Sequence, residues 1–404
     1  MPIMKDRLFT KLRGFLDCTD QSLLAKCFRT IARAASAPFS MVIRVRNQLY
    51  DLGLLREKHV GCKTIVVGNL TLGGVGKTPF IAWLTDRCLE LGQKPGLISR
   101  GYKAKQQKLS YVHTASTNEN QNVDGIYSEI NNKYCSMNDE ALEQALRFPD
   151  IPHFLGVNRV EVANAMLKRH PEITVLLLDD AFQHRRIARD LDVLLLDALN
   201  PFGGGRVVPS GYLREPLSGM RRANAVLLNR ADLISPSERE IIRAKVQRIA
   251  PKAVWAEITQ RPRHIFQSRK ISVGAPKRTL RVSTQKLDYA EWKESRESSN
   301  DFIAFCGLGA PQGFQKTLEN EKLNVKQFIA FPDHCVYSSD TYNRLLHEAK
   351  RVNADAFITT MKDFVKLEEF VKRSDLPIYA VEIGVDFLSG QNEFEEILNK
   401  TIFK

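Results

Sequence analysis

The chain has 404 residues, of which 43% are hydrophobic and 26% charged, with a formal net charge of +13. Such a composition excludes a disordered chain, and the length exceeds one typical domain, so two α/β units are expected. No run of eighteen apolar residues predicts a membrane span, and no long apolar run after the basic start predicts a signal peptide. Seven scattered cysteines without a Cys-x-x-Cys pair exclude a disulfide framework or a zinc site and predict reduced thiols in the cytosol.

The positive charge is partly local, because residues 1–63 carry twelve Lys and Arg against five Asp and Glu. A basic end beside apolar residues favours an anionic membrane surface. Nucleic acid ranks behind it, since the chain has no zinc finger, RNA-binding signature or basic–aromatic interleaving. Residues 21–55 predict two amphipathic helical pieces broken near Pro38. The first sets Leu24, Phe28, Ile31 and Ala35 opposite Lys26, Arg29 and Arg33. The second repeats Met41, Val45, Leu49 and Leu52, with Arg44 and Arg46 beside them. Helices of this kind either lie on anionic lipid or pack on the core as surface helices, and the pattern leaves both readings open.

Next comes an apolar strand, Thr64 to Val67, followed by the loop Thr71-Leu72-Gly73-Gly74-Val75-Gly76-Lys77-Thr78 and a helical pattern through Phe80, Ile81, Leu84, Cys88 and Leu89. A phosphate cradle requires that order. Small residues let consecutive backbone N–H groups point into one concavity, and the helix adds its positive end. Lys77 then reaches the outer phosphates and the Thr78 hydroxyl suits Mg²⁺. Thr71 stands where the strict pattern has glycine, and Gly73 and Gly74 supply the flexibility instead.

Pro95 to Ser99 predicts a second strand, followed by Arg100-Gly101-Tyr102. Residues 103–136 are polar and predict a surface insertion. Asn138-Asp139-Glu140 then precedes a helical stretch and, by itself, reads as a cap. Arg159 fits either a phosphate clamp or a solvated charge. The strand Ile173–Leu178 ends in Asp179 and Asp180. Acids at the C-terminal edge of a parallel strand in a phosphate-loop protein suit Mg²⁺ or its water shell. Strands at Val193–Leu196 and Ala225–Leu228 flank a long loop containing Arg206, Arg214 and Glu215, suited to gripping an anion. Asn229-Arg230-Ala231-Asp232 is similar to the guanine reader of GTPases, and a capped turn is the competing reading.

Residues 258–300 read as polar and irregular. Alternation resumes with strands at Phe302–Phe305, Gln327–Ala330, Ala356–Thr359 and Pro377–Glu382, and a helix over Ser338–Lys350. Phe331-Pro332-Asp333-His334-Cys335 puts His334 at a strand edge, where a structural and a functional histidine are equally compatible with the pattern. Thr359-Thr360-Met361-Lys362-Asp363 supplies a cap or a second basic contact. Alternating strands and helices imply mainly parallel sheets.

Taken in order, these motifs resemble the tetraacyldisaccharide 4′-kinases, the lipid A 4′-kinase family. The resemblance runs from about Arg46 to Lys366. It rests on residues 68–79, 99–102, 138–140, 179–184, 213–216, 331–334 and 361–363. The family also lacks the first glycine of the strict loop. It usually has Gly at Ala181, His at Cys335, Glu at Met361 and Gly-Asp-Glu-Pro at 138–141.

The resemblance implies phosphoryl transfer from ATP, with Mg²⁺, to the 4′-hydroxyl of an acylated glucosamine disaccharide 1-phosphate. The setting implied is the cytoplasmic face of the bacterial inner membrane, with the protein peripheral or monotopic. On the same ground, residues 71–78 hold the nucleotide, and Thr78, Asp179, Asp180 and Glu215 lie near the metal. Asp139 takes the hydroxyl proton, paired with His334, while Lys77, Arg159 and Arg214 stabilise phosphate charge. The implied architecture is two α/β/α sandwiches and a helical arm at 1–55. The phosphate-loop domain is expected at 56–188, with the last helix (384–404) packing back on it, and the second domain at 189–383. The rival reading is a GTP-driven switch or metallochaperone, whose support is Asn229–Asp232.

Overall fold

The structure is a computed structural model that describes residues 22–101, 110–112, 139–273, 279–309, 311–333 and 335–403. The first seven strands are β1 (Lys63–Asn69), β2 (Pro95–Ser99), β3 (Ser110–Val112), β4 (His153–Leu155), β5 (Val175–Asp179), β6 (Leu191–Asp197) and β7 (Ala225–Asn229). They are followed by β8 (Val254–Val273), β9 (Thr279–Asp288), β10 (Phe302–Cys306), β11 (Val325–Ala330), β12 (Ala356–Thr360) and β13 (Ile378–Ser389). Two compact units form, one from residues 1–100, 154–259 and 385–404, the other from 101–153 and 260–384.

This partition differs from the expected boundary at 188/189. Residues 189–259 join the first unit because β6 pairs in parallel with β1, and β7 in turn with β6. The insertion at 103–136 begins the second unit's first segment. Of that insertion only Ser110–Val112 lies within the described residues.

The sheet of the first unit runs β8-β7-β6-β1-β5-β2, with parallel pairings throughout. Its central strands are continuous apolar runs, such as buried Leu176, Leu177 and Leu178, as expected where helices cover both faces. One cover is the helix Lys77–Glu90, which buries Phe80, Ile81, Leu84 and Cys88. The C-terminal helix Gln391–Phe403 packs beside it through Phe394, whose ring lies 5.8 Å edge-on from that of Phe80. Arg87 and Glu395 pair at 2.8 Å along the same seam. Parallel order brings the C-terminal ends of β1 and β5 to one edge, with Val67 in register with Asp179.

The N-terminal region is one helix, Leu23–Asp51, with Pro38 inside it, and not two pieces broken at that proline. Proline removes one N–H and crowds the preceding turn, at a cost of about 3 kcal/mol. Here Pro38 and Ala34 are both exposed, so water can serve the freed carbonyl. Tertiary anchoring offsets the rest, because Ala25, Ala32 and Ser36 are buried against the unit. Ser36 Oγ donates to the Val207 carbonyl and accepts from the Ser210 N–H, both at 2.9 Å.

The second unit has the parallel order β11-β10-β12-β13. Residues 258–300, expected to be irregular, instead form much of an antiparallel hairpin in which β8 pairs β9 from His264↔Asp288 to Val273↔Thr279. Polar side chains masked it in the sequence. Ser268 pairs with Thr284 at 2.5 Å and Gln267 donates to the Tyr379 hydroxyl at 2.9 Å, so the strand buries polar groups that satisfy each other. Phe305, Phe357 and Phe370 centre one core and Trp292, Phe302 and Tyr379 the other. The five described cysteines are free thiols, and no described helix is long and apolar enough to cross a membrane.

Candidate active site

The loop between β1 and the helix Lys77–Glu90 is set by its glycines. Gly76 caps the helix at φ 75°, a left-handed conformation that glycine adopts without strain. A glycine cap carries no side chain to occupy the first-turn N–H groups, which suits an anion at that end. Close packing fixes the strand below, since a Cβ on Gly68 would meet Phe182 Cβ at 2.5 Å. Three contacts pin the loop's course. Asn69 Nδ2 donates to the Thr71 carbonyl at 2.7 Å, Asn229 Nδ2 to the Val75 carbonyl at 2.7 Å, and the Leu72 N–H to the Tyr212 carbonyl at 2.7 Å.

Lys77 Nζ stands 3.3 Å from both Asn69 Oδ1 and Asp180 Oδ1. Arg214 NH1 donates to both oxygens of Asp180, at 2.7 and 2.9 Å. One carboxylate therefore holds two cations at the phosphate-loop edge. Burial works against the charged form of Asp180, but Lys77 and Arg214 outweigh it and hold the carboxyl at about 2. Asp180 also adopts φ 51°, a left-handed conformation that Asp and Asn reach more readily than other non-glycine residues.

Asp179 ends β5 on the same edge. Arg159, only 2% exposed, begins the helix Arg159–Arg169 and donates to the Gly156 carbonyl. Burial pulls its pKa down to about 10, opposed by Asp179 and Asp180, so it stays a cation facing those acids. His184 is pulled down to about 4 by burial and by the Arg159, Arg189, Arg186 and Arg46 cations, and is neutral at pH 7.

Glu215, expected near the metal, is held by side-chain donors. It is fully buried, and its oxygens accept from Arg222 NH2 at 2.6 Å, Gln183 Nε2 at 2.9 Å, Arg222 NH1 at 2.8 Å and Asn47 Nδ2 at 3.0 Å. Four donors saturate the carboxylate. Its position makes it a structural anchor between the N-terminal helix and the loop beneath the site. Gln183 Nε2 extends the network by donating to the Asn69 carbonyl at 2.8 Å.

Asp139 opens the helix Asp139–Arg147, in the second unit. His334 lies outside the described residues. Its neighbours are fixed. Lys362 Nζ pairs with Asp333 Oδ1 at 2.7 Å, and Lys366 Nζ donates to the Cys335 carbonyl at 3.2 Å. Buried Asp363 accepts from the Gly307 N–H at 2.9 Å and the Thr360 hydroxyl at 2.8 Å.

A family model described as tetraacyldisaccharide-1-P 4′-kinase matches residues 28–403. The chain belongs to that family. A tetraacyldisaccharide 4′-kinase of Halothermothrix orenii is 30% identical over 400 residues, covering 98% of this chain and 99% of its own. One from Anaeromyxobacter dehalogenans is 32% identical, covering 90% of this chain and 88% of its own. A crystal structure of LpxK from Aquifex aeolicus, in complex with ATP, superposes with a TM-score of 0.65 at 25% identity. It covers 93% of this chain and 99% of that one. Family membership makes the chain a phosphotransferase with an alcohol acceptor, built on a phosphate-loop α/β fold.

Arg222 escaped sequence reasoning as part of this site, and Asn69, Gln183, Asn229 and Arg230, though inside motifs singled out there, were given no bracing role. Asn69, Gln183 and Asn229 are amides, which carry no charge pattern, and their role is to hold carbonyls. Arg230 pairs with Asp197 at 2.7 Å beside the phosphate loop. With the Asn229 amide committed to the Val75 carbonyl, the support for a guanine reader at 229–232 becomes support for a loop brace.

Proposed function

We propose that this kinase transfers the γ-phosphoryl group of ATP to the 4′-hydroxyl of an acylated glucosamine disaccharide 1-phosphate. The setting proposed is the cytoplasmic face of the bacterial inner membrane, where the chain sits peripherally. The observation that carries the reading is the Lys77–Asp180–Arg214 arrangement on the edge of a glycine-rich phosphate loop. Phosphoryl transfer asks little covalent chemistry of the protein. It asks for positioned cations where charge spreads over the migrating group.

On this reading the backbone of residues 71–78 cradles the nucleotide phosphates. Lys77 reaches the outer phosphates, since a lysine already held between Asn69 and Asp180 loses little freedom on binding. Arg159 and Arg214 present planar forks to phosphate oxygens. The Thr78 hydroxyl and the Asp179 carboxylate are hard oxygen donors of the kind Mg²⁺ accepts, with Asp180 next to them. When bound, Mg²⁺ supplies charge neutralisation at the β- and γ-phosphates. Asp139 accepts the acceptor hydroxyl's proton and His334 orients it, a pairing taken from the family resemblance.

Membrane association is supported by the N-terminal helix. Leu24, Ile31, Met41 and Val42 on it are each at least 66% exposed, an apolar row that water disfavours. The test is transfer of label from γ-labelled ATP or GTP to detergent-dispersed acceptor. A phosphorylated lipid formed from ATP supports the reading. Nucleotide hydrolysis indifferent to the acceptor, with GTP preferred, would sink it in favour of a GTP switch.

A further inference from the structure

Beside the N-terminal helix lies a groove of about 510 Å³, walled by that helix and by the loops at 205–210 and 216–218. Its charged lining is Arg33 and Arg44 from the helix and Arg206 from the loop, with the hydroxyl residues Ser40, Ser210 and Ser218 between them. No Asp or Glu lines it among the described residues. The buried and half-buried arginines Arg185, Arg189, Arg222 and Arg230 of this unit are matched to Asp51, Asp192, Glu215 and Asp197. Arg33, Arg44 and Arg206 make no ion pair or side-chain hydrogen bond among the described residues. All three are exposed, and three guanidinium groups around one groove with no acid lining it make a positive potential that favours an anion, their planar forks suiting phosphate oxygens.

Helical spacing says what kind of anion. Residues 33, 37, 40 and 44 recur at three- and four-residue intervals and share the face that lines the groove. The exposed apolar row of Ile31, Met41, Val42 and Val45 begins on the adjoining face of the same helix. An anion seated in the groove therefore has an exposed hydrocarbon surface next to it. We infer that this groove binds the phosphate-bearing headgroup of an anionic membrane phospholipid, with its acyl chains along the apolar row. The inference rests on the reading that this helix faces a membrane. It adds a lipid site separate from the phosphate loop, and assigns Arg206, which lies off the helix, a part in it.

The diagnostic variant is Arg206→Gln, with Arg33→Gln as a second and Arg243→Gln as a charge-matched control on an exposed helix. Two binding probes are used on the full chain: soluble dihexanoyl phosphatidic acid, and phosphatidylcholine vesicles with or without phosphatidylglycerol. One lost charge-assisted contact corresponds to about tenfold in affinity. The expected result is therefore about tenfold weaker binding of the soluble lipid by Arg206→Gln and by Arg33→Gln, with Arg243→Gln unchanged. Retention on anionic vesicles should fall for the same two variants. Equal binding by wild type and Arg206→Gln, or no binding of the soluble lipid, would overturn the groove even if vesicles still retain the protein. Inorganic phosphate binding as tightly as the soluble lipid would overturn the lipid assignment. A raised KM for the acceptor in phospholipid-free detergent, with soluble-lipid binding intact, would make the groove a substrate subsite and likewise overturn it. Failure of kinase activity itself would leave these binding results standing, so the two readings fail separately.

Discussion

Asp180 concentrates the site's chemistry in one residue. It sits at φ 51° and holds both Lys77 and Arg214. Two substitutions separate the backbone from the charge. Asparagine tolerates the left-handed region and alanine does not, so Asp180→Ala should be less stable than Asp180→Asn by about 1 kcal/mol. Thermal melts of the two variants check this, and equal melting temperatures would mean the backbone relaxes without cost. Both variants leave two cations facing each other without their shared partner. Both should lose at least about tenfold in kcat/KM, since a charge-assisted contact is worth about 1.5–3 kcal/mol. Sequence made this residue visible, because acids ending an apolar strand stand out. Its contacts with both Lys77 and Arg214 were not visible, since they join positions far apart in the chain.

Glu215 shows the opposite case. A carboxylate in a motif invites a metal role, yet the fold surrounds this one with Arg222, Gln183 and Asn47 donors. Those partners come from sequence positions up to 168 residues away. No local pattern announces such a network.

Among the elements, the N-terminal helix teaches most about what sequence hides. Its amphipathic period was readable, and its continuity through Pro38 was not. Tertiary contacts decide that continuity, chiefly Ser36 bridging to Val207 and Ser210. Ser36→Ala removes the shorter of the two bonds of the Ser210 N–H, leaving it only the Val207 carbonyl at 3.1 Å, and also removes the bridge to the helix, so it should destabilise the protein by about 1 kcal/mol. Amide exchange at Ser210 and along the helix should rise together. Faster exchange at neither would mean the helix is held by its apolar burial alone. The hairpin of β8 and β9 was missed for a related reason. Here β8 is buried on both faces, with Gln267 on one and Ser268 and its partner Thr284 on the other, so strand alternation in hydrophobicity is absent even though the backbone ladder is regular. The parallel strands with unbroken apolar runs were legible because burial on both faces writes itself directly into composition.

At the scale of the whole molecule, two histidines set an acid limit. Burial pulls His153 down to about 4, and burial with four arginines pulls His184 down to about 4. An unfolded chain protonates these groups near the ordinary value of about 6.5, before the folded one does. Between those values the unfolded state binds more protons, so stability falls as pH drops from about 6.5 to about 4 and is unaffected above. Denaturant midpoints at pH 7.5 and pH 5 measure the effect. His184→Asn should flatten the fall, and an unchanged fall would put the acid sensitivity elsewhere.

Several parts of the molecule converge on one act: a glycine-capped helix, a lysine steered by an acid, and two arginines aimed at the same edge. Single-turnover transfer of the γ-phosphoryl group of ATP to the detergent-dispersed disaccharide 1-phosphate, wild type against Lys77→Ala, tests that convergence most directly. Loss of the lysine's contact with the migrating group should cost roughly 3–5 kcal/mol of transition-state stabilisation, or about two to four orders of magnitude in rate. Transfer by Lys77→Ala at close to the wild-type rate would contradict the account.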